Sequence, residues 1–121
     1  MILSIHHTQI SIPIGAEGKA REFYCALLGF KEVPKPEVLQ GRGGFWMQFA
    51  NLQVHVGVEN GFDRTKTKAH VAYSVDDLEQ VKTLLRSYGI EPKESIPIPG
   101  YVRFECRDPF GNRMEFIQEK H

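Results

Sequence analysis

One plan runs twice through this chain, and that repetition limits the possible folds more than any other feature. From Leu3, SIHHTQISIP alternates: His7, Gln9 and Ser11 are polar, while Ile10 and Ile12 are apolar, the pattern of a strand covered on one face. Adjacent strand residues point to opposite faces, so His6 is expected to face the covering layer and His7 the open side. In AEGKAREFYCALLGF, Ala16, Ala20, Phe23, Tyr24, Leu27 and Leu28 fall at helical spacing, and Gly29 supplies a stop. The prolines Pro34 and Pro36 exclude a regular helix, and Gly41, Gly43 and Gly44 mark a loop before strands at Phe45–Ala50 and LQVHVGV.

The second half repeats this order. HVAYSV reads as a strand; Asp76 is the expected helix cap, with Glu79 three residues on; Leu78, Val81, Leu85 and Tyr88 make an apolar stripe ended by Gly89. A loop with Pro92, Pro97, Pro99 and Gly100 leads to the strand YVRFEC, the tight DPFGN connection and the strand RMEFIQ. His7 and His70 lie 63 residues apart, Gly29 and Gly89 lie 60 apart, and laying NLQVHV on RMEFIQ matches Gln53 to Glu115 at 62. The reading is one α+β domain: module 1 over about 1–58, a polar connection over 59–69, and module 2 over about 70–121.

Composition narrows the function classes. With 15 basic and 15 acidic side chains the formal net charge is zero, so no field draws the chain to nucleic acid or an anionic membrane. No apolar run reaches the ~20 residues of a membrane span. Two cysteines and no basic leader point to a soluble protein of the reducing cytoplasm rather than a disulfide framework. Neither Cys25 nor Cys106 sits in a recognisable catalytic context.

In a duplicated fold, equivalent positions converge. His7 and His70, with Glu115 between the apolar Met114 and Phe116, are the candidate metal ligands: two imidazoles and a carboxylate suit Zn²⁺, Fe²⁺, Mn²⁺ or Ni²⁺ and leave positions open for substrate. Gln53 occupies the fourth position as a substrate-binding candidate, since an amide is a weak ligand and no base. His55, two residues on, is a further ligand, a catalytic acid or base, or a hydrogen-bond partner of substrate. Arg42 in GRGG and Arg103 are candidate clamps for an anionic group, and Trp46 and Tyr101 are candidate cleft walls. GRGG lacks the spacing and the lysine of a phosphate-binding loop.

HTQISIP, AREFYCALLGF, HVAYSVDDLEQV and above all RDPFGNRMEFIQ resemble the vicinal oxygen chelate superfamily, which includes glyoxalase I, fosfomycin resistance proteins, extradiol dioxygenases and bleomycin resistance proteins. The resemblance implies two βαβββ modules related by a pseudo-twofold axis, a U-shaped mixed sheet enclosing a metal cleft, and helices outside. It matches His7, His70 and Glu115 to ligand positions, with Glu115 also a proton shuttle. The departure is Gln53, where many glyoxalase-type members carry glutamate. It implies a divalent-metal enzyme, a lyase, isomerase or dioxygenase, acting on a small substrate through adjacent oxygens. The alternative is a sequestering protein of the bleomycin resistance kind. A homodimer is expected on the resemblance alone.

Overall fold

The computed structural model describes residues 1–121. The chain forms two compact units, Met1–Phe62 and Asp63–His121. Each builds its own four-stranded mixed sheet, and the fold class is α+β.

In the first unit β1 (His7–Ile12) runs into a helix, α1 (Glu17–Ala20), that continues as a π-helical stretch over Arg21–Leu27. After it come β2 (Lys31–Val33), a 3₁₀ turn over Glu37–Arg42, β3 (Phe45–Phe49) and β4 (Leu52–Val58). The sheet order is β1-β4-β3-β2, with β1 parallel to β4 and the other pairs antiparallel. The second unit repeats this as β5 (His70–Ser74), α2 (Leu78–Ser87), β6 (Lys93–Glu94), β7 (Tyr101–Arg107) and β8 (Arg113–Glu119), in the order β5-β8-β7-β6. A short 3₁₀ turn, Arg64–Lys66, interrupts the polar connection before β5.

Apolar residues of the alternating strands and the helices fill the cores. Ile12, Ala20, Phe23, Tyr24, Phe45, Met47, Val54 and Val56 are buried in the first unit. Tyr73, Leu78, Leu85, Phe104, Met114 and Phe116 are buried in the second.

Several local expectations need correction. The first strand opens at His7 rather than Leu3, and Met1, Ile2, Leu3 and Ile5 are exposed. The first helix is regular only at its start; the wider π turn, with Leu28 N–H donating to the Phe23 carbonyl, puts the adjacent Phe23 and Tyr24 both fully inside. The cap of α2 is Asp77, whose carboxylate accepts from Gln80 N–H at 3.1 Å, not Asp76. The Gln118 side-chain oxygen satisfies a further free amide of that helix, Leu78 N–H, at 2.8 Å. The edge strands β2 and β6 are too short for periodicity to reveal.

Register corrects the repeat itself. His7 stands opposite Gln53, and Gln9 opposite His55; His70 stands opposite Arg113, and Ala72 opposite Glu115. The counterpart of Glu115 is therefore His55, 60 residues earlier, the same separation as Gly29 and Gly89. Gln53 corresponds to Arg113. A two-residue slip along a strand keeps the same face, so alternation alone does not detect it.

Candidate functional site

In the first unit His7 opens β1 and His55 sits in the middle of β4, and their rings stack with centroids 4.0 Å apart. Trp46, directly opposite His55 on β3, stacks on it at 3.8 Å with the planes 3° apart. Gln53 lies within hydrogen-bond reach of His55: Oε1 is 2.8 Å from Nε2. His7, His55 and Trp46, with Gln9, Lys35 and Arg42, line a cleft of about 600 Å³. Lys35 donates to the Gly43 carbonyl at 2.7 Å and so fixes the GRGG loop, while Arg42 is exposed at the cleft edge.

His6 also lines this cleft, with Nδ1 3.0 Å from His7 Nδ1 and the two rings edge to face. The expectation that it faces the covering layer fails because His6 precedes the strand, where alternation does not hold. His55 is only 5% exposed. Burial, followed by the neighbouring His7 and His6, lowers its pKa to about 4. At neutral pH it is an uncharged imidazole. A group of that acidity is a poor proton acceptor, which weighs against a general-base role.

In the second unit β5 supplies His70 and β8 supplies Glu115. Nε2 of His70 lies 3.1 Å from Glu115 Oε1, and Nδ1 lies 3.0 Å from the Lys68 carbonyl. A carbonyl only accepts, so Nδ1 carries a proton; a ring protonated there alone would turn the Nε2 lone pair toward a carboxylate oxygen, whereas a doubly protonated ring would make an ion pair with it. Two acceptors facing each other require a proton or a cation between them. A histidine whose far nitrogen donates to a backbone carbonyl is also the usual arrangement of a metal ligand. By donor chemistry this pair fits a divalent metal. No group of three or more His, Cys, Asp or Glu side chains is gathered around one point in this structure.

The face around the pair carries alternating charge. Glu105 on β7 lies directly opposite Glu115, a placement that like charges disfavour. Each has its own guanidinium: Arg113 Nε donates to Glu105 at 3.0 Å, and Arg103 Nη1 lies 3.3 Å from Glu115 Oε2. The Arg113 hydrogen bond holds the Glu105 carboxyl below its usual range. Arg103 also donates from Nε and Nη2 to the Ile96 carbonyl at 3.0 and 2.6 Å, so three of its nitrogens are engaged. Tyr101 is 41% exposed and lines a separate cleft of about 360 Å³ with Lys82, Glu94, Arg103 and Gln118.

His6, Gln9, Lys35, Glu105 and Arg113 are the neighbours that sequence reading left out of the site. The signal for Glu105 lay in β7, where Arg103, Glu105 and Arg107 occupy alternate positions of one face, and that for Arg113 lay in β8, where it alternates with Glu115. The DPFGN turn has a structural role. Asp108 is 5% exposed, and its carboxylate accepts from Phe110 N–H, Asn112 N–H and the Asn112 amide at 2.8–2.9 Å. Burial pushes the Cys106 thiol up to about 12, so it stays protonated at neutral pH.

Comparison with known proteins places this geometry. No curated protein matches the chain. A Bacillus anthracis protein of known structure, described as a member of the glyoxalase family, is 42% identical over 99% of this chain and 98% of its own, with a TM-score of 0.90. The fosfomycin resistance protein FosX from Listeria monocytogenes, solved with Mn(II) and sulfate, is similar in fold at 14% identity over 99% of this chain and 93% of its own, TM-score 0.80. TnmS3, an antibiotic binding protein from a Streptomyces species, aligns at 19% identity over 99% of this chain and 100% of its own, TM-score 0.69. The sequence profile that matches residues 4–116 is that of the Glyoxalase/Bleomycin resistance protein/Dioxygenase superfamily, and the chain belongs to it.

Proposed function

We propose that the protein is a divalent-metal-dependent enzyme that acts on a small substrate bound through two adjacent oxygens, with His7, His70 and Glu115 as the protein ligands. The observation that carries this reading is His70 Nε2 facing Glu115 Oε1 at 3.1 Å while the other ring nitrogen is committed to the Lys68 carbonyl. The Mn(II) in the FosX structure supports the class of ion. A bound metal supplies a Lewis acid that stabilises an enolate, alkoxide or oxyanion as it develops. The chain's own groups bind and orient: Trp46 shapes the cleft wall, Gln53 holds His55 by accepting from its Nε2, Arg42 meets an anionic group, and Glu115 holds or passes a proton at Oε1, the oxygen that faces His70. His55 stays neutral, a nitrogen donor rather than a base. The protein acts in the cytoplasm as a homodimer, which light scattering on the purified protein checks.

The test is elemental analysis of the purified protein beside His7→Ala and Glu115→Ala. The expected outcome is near-stoichiometric metal in the parent protein and loss of most of it in both variants. Stoichiometric metal in both variants overturns the assignment.

A second reading, a binding protein without turnover, is favoured by one observation: the Trp46, His55 and His7 rings stack along the wall of the first unit's cleft. Such a wall suits a flat aromatic ligand, and TnmS3 is an antibiotic binding protein of similar fold. Calorimetry on chelator-treated protein separates the two. Tight binding of a flat aromatic ligand without metal, and no product with it, supports the binder.

A further inference from the structure

Arg103 has a part in this site that its expected role as a substrate clamp does not describe. On the antiparallel β7–β8 pair, Arg103 is opposite Ile117 and Glu105 opposite Glu115, so Arg103 is the diagonal neighbour of Glu115 on the same face. Its side chain is 18% exposed and that of Glu115 10%. Nε and Nη2 grip the Ile96 carbonyl, which fixes the guanidinium plane, and Nη1 then reaches Glu115 Oε2 at 3.3 Å. The other oxygen, Oε1, is the one that faces His70 Nε2. The two oxygens of one carboxylate are thus assigned to different partners.

We propose that Arg103 is the specificity-determining residue of the metal site: by occupying Oε2 it leaves Glu115 one oxygen for the ion, and so excludes Ca²⁺. This rests on the metal-enzyme reading above. The chemistry is direct. Ca²⁺ takes six to eight oxygen ligands and commonly uses a carboxylate through both oxygens, whereas ions of the Mn²⁺ to Zn²⁺ series are content with imidazole nitrogen and a single carboxylate oxygen. A guanidinium also repels any cation nearby, so removing it acts on affinity in two opposing ways. Both ions carry the same charge, so that repulsion cancels from the ratio of their affinities. The number of available carboxylate oxygens does not cancel.

The experiment measures that ratio. Mn²⁺ binding is followed by the free-ion electron paramagnetic resonance signal, and Ca²⁺ by its competition against Mn²⁺, in the parent protein, Arg103→Met, Arg103→Gln and Glu115→Ala. Methionine keeps the length of the stem and has no donor. The expected result is a fall of about tenfold or more in the preference for Mn²⁺ over Ca²⁺ in Arg103→Met, in keeping with the size of effects from groups that orient ligands. Arg103→Gln, too short to span both Ile96 and Glu115, is expected to shift the same way and serves if the methionine variant does not fold. An unchanged ratio in a folded variant overturns the role of Arg103. If Glu115→Ala meanwhile loses Mn²⁺, the metal reading stands without it; if Glu115→Ala keeps Mn²⁺ at parental affinity, both fall.

Discussion

At His55 burial and charge act in one direction. A buried ring beside His7 and His6 disfavours the imidazolium, so its pKa is about 4, against the ordinary 6.5 it regains on unfolding. Between those values the unfolded chain binds a proton that the folded chain refuses. This contribution to stability is whole above about pH 6.5 and is lost as pH falls toward 4. Trp46 is the only tryptophan and stacks on this ring, so it reports the change directly. In chelator-treated protein the Trp46 emission is expected to titrate with a midpoint near pH 4, and the step is expected to vanish in His55→Leu. A midpoint near 6.5 contradicts the burial argument. At this scale, alternation marked His7, His70 and Glu115 as polar residues of half-covered strands, a pattern visible in the bare letters, and the repeat and the family resemblance made them candidates. His6 escaped it, since only the backbone tells where the strand begins. The second partner of Arg103 escaped it too, because the Ile96 carbonyl is main chain and leaves no mark in residue type.

Among the elements, those with long apolar patterns were legible and those set by a few backbone bonds were not. The stripe of α2 and the glycine stops at Gly29 and Gly89 read correctly; both glycines have positive φ, 82° and 84°, where a side chain is strained. The π-helical stretch did not, because i+5 bonding follows from seating Phe23 and Tyr24 together in the core rather than from local propensity. The most recognisable element, the turn between β7 and β8, owes its sequence to the Asp108 carboxylate, which satisfies three donors from inside the fold. Asp108→Ala strands those donors, and is expected to cost about 2–3 kcal/mol, read as a lower urea midpoint with an unchanged slope. Asp108→Asn keeps one acceptor oxygen and is expected to fall between. An alanine variant as stable as the parent would show that the turn holds without its carboxylate.

For the molecule as a whole, the doubled plan was legible because each half carries its own strand, helix and closing pair of strands, but the equivalence of positions was not. The repeat pairs His55 with Glu115, and only hydrogen-bond register distinguishes that from a match two residues away. Duplication has an energetic consequence as well. Each unit, Met1–Phe62 or Asp63–His121, is roughly the 60-residue size at which a chain buries only about 60% of its unfolded surface, and a longer chain buries a larger share. Hydrophobic stabilisation follows that buried share, while the cost of ordering each residue does not fall with length. The halves expressed separately are therefore expected to melt at lower temperature than the full chain when followed by circular dichroism. The second half, with its capped ten-residue helix, is expected to retain more structure than the first, whose helix starts without a side-chain cap. A separate half that melts at the temperature of the intact chain would mean that each unit reaches full stability by itself, and the size argument would fail.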